Sequence, residues 1–353
     1  MTIVELARPE IRALKPYQAA AQVDDTIRLN ANEAPWTSSN DRFRRPLNRY
    51  PEIRPQRLRH ALATRYGCDA DRLLVTRGSS EAIDLLVRIF CRAGRDNIVT
   101  SAPTFSMYRH YAGVQGAEIR EVASDREQNF AIDVDALLNA CDEFTRIVFL
   151  CSPNNPTGTL LPRDKLVQLL ECRGSKSAIV VDEAYIEFAG EPSALELLDR
   201  FDNLIVLRTL SKALAFAGAR CGAVAGSRDV IDMVDAVQAP YALATPVVEC
   251  VEDALQAESL HEAERWIGTI IEERQRLMAA LGKFSFVRHI WPSAANFFLV
   301  QVDGVDALLQ QTKADKILLR YFGGSLSDCV RISVGTQAEN ERLLQTFAAV
   351  AES

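Results

Sequence analysis

Leu204-Ile205-Val206-Leu207-Arg208-Thr209-Leu210-Ser211-Lys212, followed eight residues later by Arg220, is the stretch from which the rest of the chain can be read. The apolar run Leu204–Leu207 has the length and composition of a short buried strand. A lysine just past such a strand stands at the mouth of a sheet. Arg220 nearby raises the local positive potential and favours the neutral amine, which is the form that condenses with an aldehyde. Lysine is also the side chain that readily forms a Schiff base. Taken alone, the segment reads equally well as a surface lysine beside a loop serine.

Moving outward, the same arrangement recurs. Leu73-Leu74-Val75 leads into Arg77-Gly78-Ser79-Ser80-Glu81 and a helix with Ile83, Leu86, Val87 and Phe90 on one face. Asn97-Ile98-Val99 leads into Ala102-Pro103-Thr104-Phe105, and Ile147-Val148-Phe149-Leu150 into Ser152-Pro153-Asn154-Asn155-Pro156-Thr157-Gly158. Ala178-Ile179-Val180-Val181 leads into Asp182-Glu183-Ala184-Tyr185. Near-continuous apolar strands alternating with helices imply an α/β fold with a mostly parallel sheet covered by helices on both faces. In all five units the special residues fall just past the carboxyl end of a strand, where open α/β sheets bind ligands. One polar loop would mean little, but five in register imply a shared site.

Residues 1–49 lack sustained periodicity, carry Pro9, Pro16, Pro35 and Pro46, and are expected to form an N-terminal arm. A helix over about Gln56–Tyr66 should end at Gly67. Residues 50–246 then form a large domain and 247–353 a smaller C-terminal α/β domain. The elements expected around and beyond that boundary begin with a helix through Val230, Met233, Val234 and Val237 that stops near Pro240, and another that starts after Pro246. A long amphipathic helix follows over about Leu260–Leu281, with Arg265, Glu272, Glu273, Arg274 and Arg276 on its wetter side. Next come a strand at Asn296–Val302, a helix around Val305–Lys313 and two short strands, one ending at Arg320 and one that Arg331 opens and that runs through Val334. A last helix buries Leu343, Leu344, Phe347 and Val350.

The 353 residues, 48% of them hydrophobic, suffice for a large core and two domains. No apolar run is of membrane-spanning length, and Glu5, Arg8 and Glu10 argue against a secretory leader, so a cytoplasmic protein is expected. The net charge of −7 disfavours nucleic acid and anionic membranes as partners. An anionic substrate would then need locally clustered arginines. The eight cysteines contain no C-x-x-C pair and read as reduced thiols, and the four histidines show no ligand spacing, so no metal site is expected.

The loops also offer chemistry. A ring nitrogen that must stay protonated needs a carboxylate partner, which Asp182 could be, although an Asp at a strand end is commonly a helix N-cap. Asn155 and Tyr185 could donate to a phenolic oxygen, although Asn155 also suits the turn chemistry of its loop. Gly78-Ser79-Ser80 at a helix start, with Ser211 and Arg220, could hold a phosphate. Phe105 could stack on a ring or belong to the core.

Ser152-Pro153-Asn154-Asn155-Pro156-Thr157-Gly158, Asp182-Glu183-Ala184-Tyr185 and Thr209-Leu210-Ser211-Lys212 with Arg220 resemble the signature of the fold type I pyridoxal phosphate aminotransferases. In this chain 27 positions separate Asn155 from Asp182, and 30 separate Asp182 from Lys212. More narrowly, the chain is similar to the histidinol-phosphate aminotransferase family over nearly its whole length. That similarity rests on Lys15-Pro16-Tyr17, Leu29-Asn30-Ala31-Asn32-Glu33, Arg49-Tyr50-Pro51-Glu52, Ala239-Pro240-Tyr241 and Arg331-Ile332-Ser333-Val334-Gly335-Thr336.

The resemblance implies that Lys212 holds pyridoxal 5'-phosphate as a Schiff base and then shuttles the proton. Asp182 would pair with the pyridine nitrogen, Asn155 and Tyr185 would bind the ring oxygen, and Phe105 would stack on the ring. Ser79, Ser80, Ser211 and Arg220 would hold the phosphate, joined by Tyr50 from a second subunit of a homodimer. Arg320 and Arg331, with Tyr17 and Tyr241, would bind the anionic end of the substrate. The substrates implied are histidinol phosphate and 2-oxoglutarate, with glutamate as product. Alternatives on the same scaffold are an aromatic amino acid aminotransferase and a lyase similar to threonine-phosphate decarboxylase. A regulator is disfavoured because residues 1–49 show no helix-turn-helix pattern. Two departures stand out: Phe105 where the family usually has tyrosine, and Gly78-Ser79-Ser80-Glu81 where relatives often have Ala-Asp.

Overall fold

The computed structural model describes residues 2–18, 20–22 and 26–352. Seven strands, β1 (Leu73–Thr76), β2 (Asn97–Ala102), β3 (Glu118–Ala123), β4 (Thr145–Cys151), β5 (Ala178–Asp182), β6 (Leu204–Thr209) and β7 (Gly222–Ala225), form one sheet in the order β1-β7-β6-β5-β4-β2-β3. Every neighbouring pair is parallel except the two made by β7, which runs antiparallel to β1 and to β6. β1 therefore points the same way as β2, β4, β5 and β6, and the carboxyl ends of all five open on one edge.

The central strands β4, β5 and β6 are largely apolar because both of their faces are covered. Ile147, Phe149, Val180, Ile205 and Leu207 pack with Ile83, Leu86 and Phe90 of the helix Ser79–Phe90. The alternate residues Val148, Leu150, Ile179, Val181, Leu204 and Val206 pack with Leu166, Leu169 and Leu170 of the helix Arg163–Arg173. Each such buried side chain contributes about 1.5–3 kcal/mol, which fixes the register, since a one-residue slip would turn each set to the wrong face.

The expected helix at Gln56–Tyr66 ends on Gly67 in a left-handed cap, φ 69°. Two strands of the large sheet were not among those read from the sequence. β3 (Glu-Ile-Arg-Glu-Val-Ala) is an edge strand with much of its surface in water, so it lacks the apolar run that marks its neighbours. β7 (Gly-Ala-Val-Ala) is buried, but only small side chains fit there.

The second sheet is antiparallel, with order β10-β11-β9-β8, from β8 (Val287–Ile290), β9 (Phe297–Val302), β10 (Arg320–Gly323) and β11 (Leu326–Ser333). Its core joins Leu277 and Leu281, Phe298 and Val300, Val330 and Ile332, and Phe347. Two strand boundaries differ from expectation. Arg320 opens a strand instead of ending one, because Ile317-Leu318-Leu319 is a loop in which Leu318 stands 87% exposed. Arg331 lies near the end of β11, not at its start. Arg274 also departs from the wet face assigned to it. It is buried and donates to the carbonyl of Ala295 at 2.6 Å and to that of Phe188 at 3.4 Å, tying the long helix Ala257–Leu281 to the loops beneath it.

The helix expected to start after Pro246 begins two residues earlier, at Thr245, with Pro246 in its first turn. It runs to Ala254 and packs Val248 and Val251 against Leu58 and Leu62. We therefore propose placing the boundary between the two domains after Leu255.

The arm is held at two places. Ile3 and Ala7 are buried in the large core, and the backbone N–H of Arg8 donates to Ile89 at 2.9 Å. Further on, the Glu249 carboxylate accepts from the backbone N–H groups of Arg44 and Arg45 at 3.1 and 2.7 Å. Between them Ile27 and Leu29 stand about 90% exposed, with Trp36 also in solvent. All eight cysteines are free. No helix among the described residues is long and apolar enough to cross a membrane.

Candidate active site

The carboxyl edge of the large sheet and the β10–β11 hairpin enclose a cavity of about 460 Å³. Lys212 enters it from the loop after β6. That loop is shaped by its own hydrogen bonds: Ser211 N–H to Thr209 Oγ1 at 3.2 Å and Phe216 N–H to the Leu210 carbonyl at 3.0 Å. The Lys212 ammonium lies 5.7 Å from the Tyr185 ring centre. Its pKa is lowered, first by burial, then by Arg331 and Arg220, with Asp182 acting the other way. The expected cause, Arg220, is present but is the smallest of the three.

Asp182 closes β5 at the floor of the cavity. It is not a helix N-cap, since only a 3-10 turn at Ile186–Phe188 follows. The carboxylate instead accepts from the Ala184 N–H on Oδ1 and from the Tyr108 hydroxyl on Oδ2, both at 3.2 Å. Burial raises its pKa to about 6, opposed by those two hydrogen bonds. Asn155 donates from Nδ2 to the Tyr185 hydroxyl at 3.2 Å and accepts on Oδ1 from Arg331. Its turn and its place in the site are therefore compatible.

Ser79 and Ser80 begin a twelve-residue helix whose N-cap, Gly78, has no side chain to occupy the first N–H groups. Gly78 sits at φ +76°, and a Cβ there would lie 3.0 Å from Arg220 Nη2. A Cβ on Gly222 would lie 2.6 Å from the Arg208 carbonyl oxygen and 2.9 Å from Gly78 Cα. Both glycines are needed for the loops after β1 and β6 to come this close. Arg220 donates to Ser211 Oγ at 3.3 Å, completing a cup of free N–H groups, hydroxyls and one guanidinium, a donor set for a phosphate.

Arg320 and Arg331 are direct cross-strand partners in the β10–β11 pair. Two like charges facing each other destabilise an antiparallel ladder unless an anion joins them. Neither has an ion-pair partner among the described residues, and Arg331 Nε is buried with no acceptor. Burial and Arg320 both lower the Arg331 pKa.

Of the residues picked from the sequence, Ser79, Ser80, Phe105, Asn155, Asp182, Tyr185, Ser211, Lys212, Arg220, Arg320 and Arg331 line this one cavity. Tyr17, Tyr50 and Tyr241 do not. They lie out on the arm side, with Tyr50 stacked on Tyr241 at 4.7 Å and the Tyr241 phenol raised by burial and by both other tyrosines. Sequence reasoning missed Thr104, Ser106, Cys151, Ala184, Thr209 and Phe322 in the lining, and Tyr108 behind it. Thr104, Ser106 and Ala184 directly flank chosen residues and Thr209 lies two positions before Ser211, so all four were within reach of the pattern. The others are brought in by tertiary packing.

The chain belongs to the class I and II aminotransferase family, whose profile matches residues 25–347. Pyridoxal phosphate is the cofactor of that family, and the residues present fit it: a depressed lysine, a buried carboxylate and an uncapped helix start beside an arginine. The chain is 39% identical, over 100% of its length and 98% of the relative's, to a histidinol-phosphate aminotransferase of Xanthomonas euvesicatoria. Among solved structures it resembles the histidinol-phosphate aminotransferase of Sinorhizobium meliloti in complex with pyridoxal-5'-phosphate, at TM-score 0.79 and 24% identity over 87% of this chain and 84% of that one. It also resembles the L-threonine-O-3-phosphate decarboxylase of Porphyromonas gingivalis, at TM-score 0.73 and 24% identity over 87% and 92%.

Proposed function

We propose that this chain is a transaminase that moves the amino group between histidinol phosphate and 2-oxoglutarate, giving imidazole-acetol phosphate and glutamate, in cytoplasmic histidine biosynthesis. The observation that carries the reading is the meeting of Lys212 and Asp182 with the opposed arginines Arg320 and Arg331 in one cavity. Whole-length identity of about 40% to histidinol-phosphate aminotransferases supports the choice of substrate.

When bound, pyridoxal phosphate supplies an aldehyde that condenses with amines and a protonated ring that takes up carbanion electrons. Ser79, Ser80, Ser211 and Arg220 hold its phosphate, and Phe105 covers the ring face. Asn155 and Tyr185 hold the ring oxygen. Asp182 keeps the ring nitrogen protonated by remaining ionised beside it. Lys212, whose amine is already depressed, would hold the cofactor and act as the base that takes up the proton from the substrate's amino-bearing carbon. Arg331 and Arg320 bind the phosphate of one substrate and the distal carboxylate of the other, two anions for which a guanidinium pair is suited.

The active form in this reading is a homodimer. Its support is the unsatisfied apolar surface of Ile27, Leu29 and Trp36 on the arm, with Tyr50, Tyr17 and Tyr241 completing the site across the subunit boundary. A screen of amino donors, following the spectrum of the bound cofactor, tests the substrate. The expected result is a preference for histidinol phosphate with carbon conserved. Preference for an aromatic amino acid would overturn the substrate, and release of carbon dioxide would make the protein a lyase.

A further inference from the structure

We propose that Tyr108 is a positioning residue for Asp182: its buried hydroxyl holds the carboxylate in its charged form, so that the proton shared with the cofactor's ring stays on the ring nitrogen. The inference rests on the aminotransferase reading above and adds a residue to it.

Tyr108 lies in the helix Met107–Gln115 and is fully buried. Its ring is parallel to that of Phe149 on β4, with centres 4.8 Å apart and 8° between planes, and meets Phe105 edge-on at 5.8 Å. Packing on two sides fixes the direction of the hydroxyl, which donates to Asp182 Oδ2 at 3.2 Å. The groups facing Asp182 are few. They are Tyr108 from that helix, Cys151 from β4, Tyr185 from its own loop and Lys212 from the loop after β6. The next residue, Glu183, turns to the opposite face and meets Arg208 at 3.5 Å. Cys151 directs its thiol to the Pro153 carbonyl at 3.2 Å.

Tyr108 is thus the only side chain among the described residues recorded as donating to the Asp182 carboxylate, alongside the Ala184 N–H. Burial opposes ionisation of this carboxylate, and a neutral acid cannot support a protonated ring nitrogen. The phenol itself is driven well above its ordinary pKa by burial and by Asp182, so it remains a donor throughout the neutral range. Two donors on four lone pairs leave the carboxylate able to accept another hydrogen bond from the ring side. Phe105 and Tyr108, three residues apart, thereby serve the face of the ring and its nitrogen from one short segment.

Removing the hydroxyl makes Asp182 more basic, so the shared proton moves from ring nitrogen to carboxylate. The test is nitrogen NMR of holoenzyme loaded with 15N-pyridoxal phosphate, as a function of pH, for wild type, Tyr108→Phe and Phe149→Leu. The Phe149 variant loosens one of the two packed sides but keeps the hydroxyl itself and the edge-on contact with Phe105 that also orients it. Wild type and Phe149→Leu should show a protonated ring nitrogen at neutral pH. Tyr108→Phe should move toward the unprotonated signal, with kcat/KM down about 10-fold or more, the scale of one hydrogen bond to an ion. Fluorotyrosine at position 108 keeps a donor on the same ring and should retain the wild-type signal even if the Phe variant fails to fold.

A wild-type signal in Tyr108→Phe, an equal shift in Phe149→Leu, or loss of the signal with fluorotyrosine would each overturn the proposal. A wild-type protein that takes up no pyridoxal phosphate would instead overturn the reading beneath it.

Discussion

Asp182→Asn in the cofactor-free protein should raise stability at neutral pH while destroying activity. The native carboxyl is fully buried with its pKa raised from 3.8 to about 6. At 1.36 kcal/mol per unit, the shift of about two units corresponds to about 3 kcal/mol. The folded value lies above the unfolded one, so this group favours the native state most at acid pH. That contribution declines as pH rises from about 4 and is gone above about 6. Asparagine does not titrate and never bears this penalty.

The difference in stability, variant minus wild type, should therefore grow by about 3 kcal/mol between pH 4 and pH 8. With an unfolding entropy of about 2.1 cal/mol/K per residue over 353 residues, that is about 4 °C in Tm. Scanning calorimetry of both cofactor-free proteins across this range measures it, and any fixed cost of the substitution cancels in the pH trend. Adding pyridoxal phosphate should reverse the order, because only wild type offers the ring nitrogen a counter-charge. Turnover should fall by several orders of magnitude, since a lost electrostatic partner at the reacting group costs about 3–4 kcal/mol or more. A difference in Tm that stays flat from pH 4 to pH 8 would refute the claim that Asp182 ionises against a buried environment. A loss of turnover below tenfold would refute its role.

Lys212→Ala should lose the yellow colour of a covalently held cofactor and nearly all turnover, and near wild-type rates in that variant would show Lys212 to be misassigned. Arg320→Gln should lower kcat/KM for histidinol phosphate by about 2–3 kcal/mol, the scale of one charge-assisted hydrogen bond, and by much less for an aromatic amino acid. Equal losses would point to the broader aromatic enzyme. Light scattering should report a dimer. In a mixed dimer of Tyr50→Phe with Lys212→Ala, one site collects both lesions and the other neither, so activity should return toward one good site per dimer. Failure to recover would put Tyr50 in its own subunit's site.

The alternation of apolar strand and polar loop was legible because it is local. A strand buried on both faces must be apolar along its length, and this marks β1, β2, β4, β5 and β6 without any knowledge of their neighbours. Lys212, Asp182, Asn155 and the Gly78-Ser79-Ser80 turn could be found for the same reason, each lying within a few residues of the end of its strand. What depends on pairing could not be read this way. The exposed edge β3 and the small-residue strand β7 carry no such signal, and β7 exists because Gly222 admits the Arg208 carbonyl and Gly78. Tyr108 is indistinguishable in sequence from any aromatic on a helix, and only the packing of that helix over β4 brings its hydroxyl to Asp182. Arg320 and Arg331 were chosen from the sequence, but their facing register across β10 and β11, which sets two guanidiniums side by side at one cavity, is a property of the antiparallel pairing. Sequence determines which chemistry each strand end can offer. The tertiary fold decides which ends meet, because hydrogen-bond register and burial are settled between segments far apart in the chain.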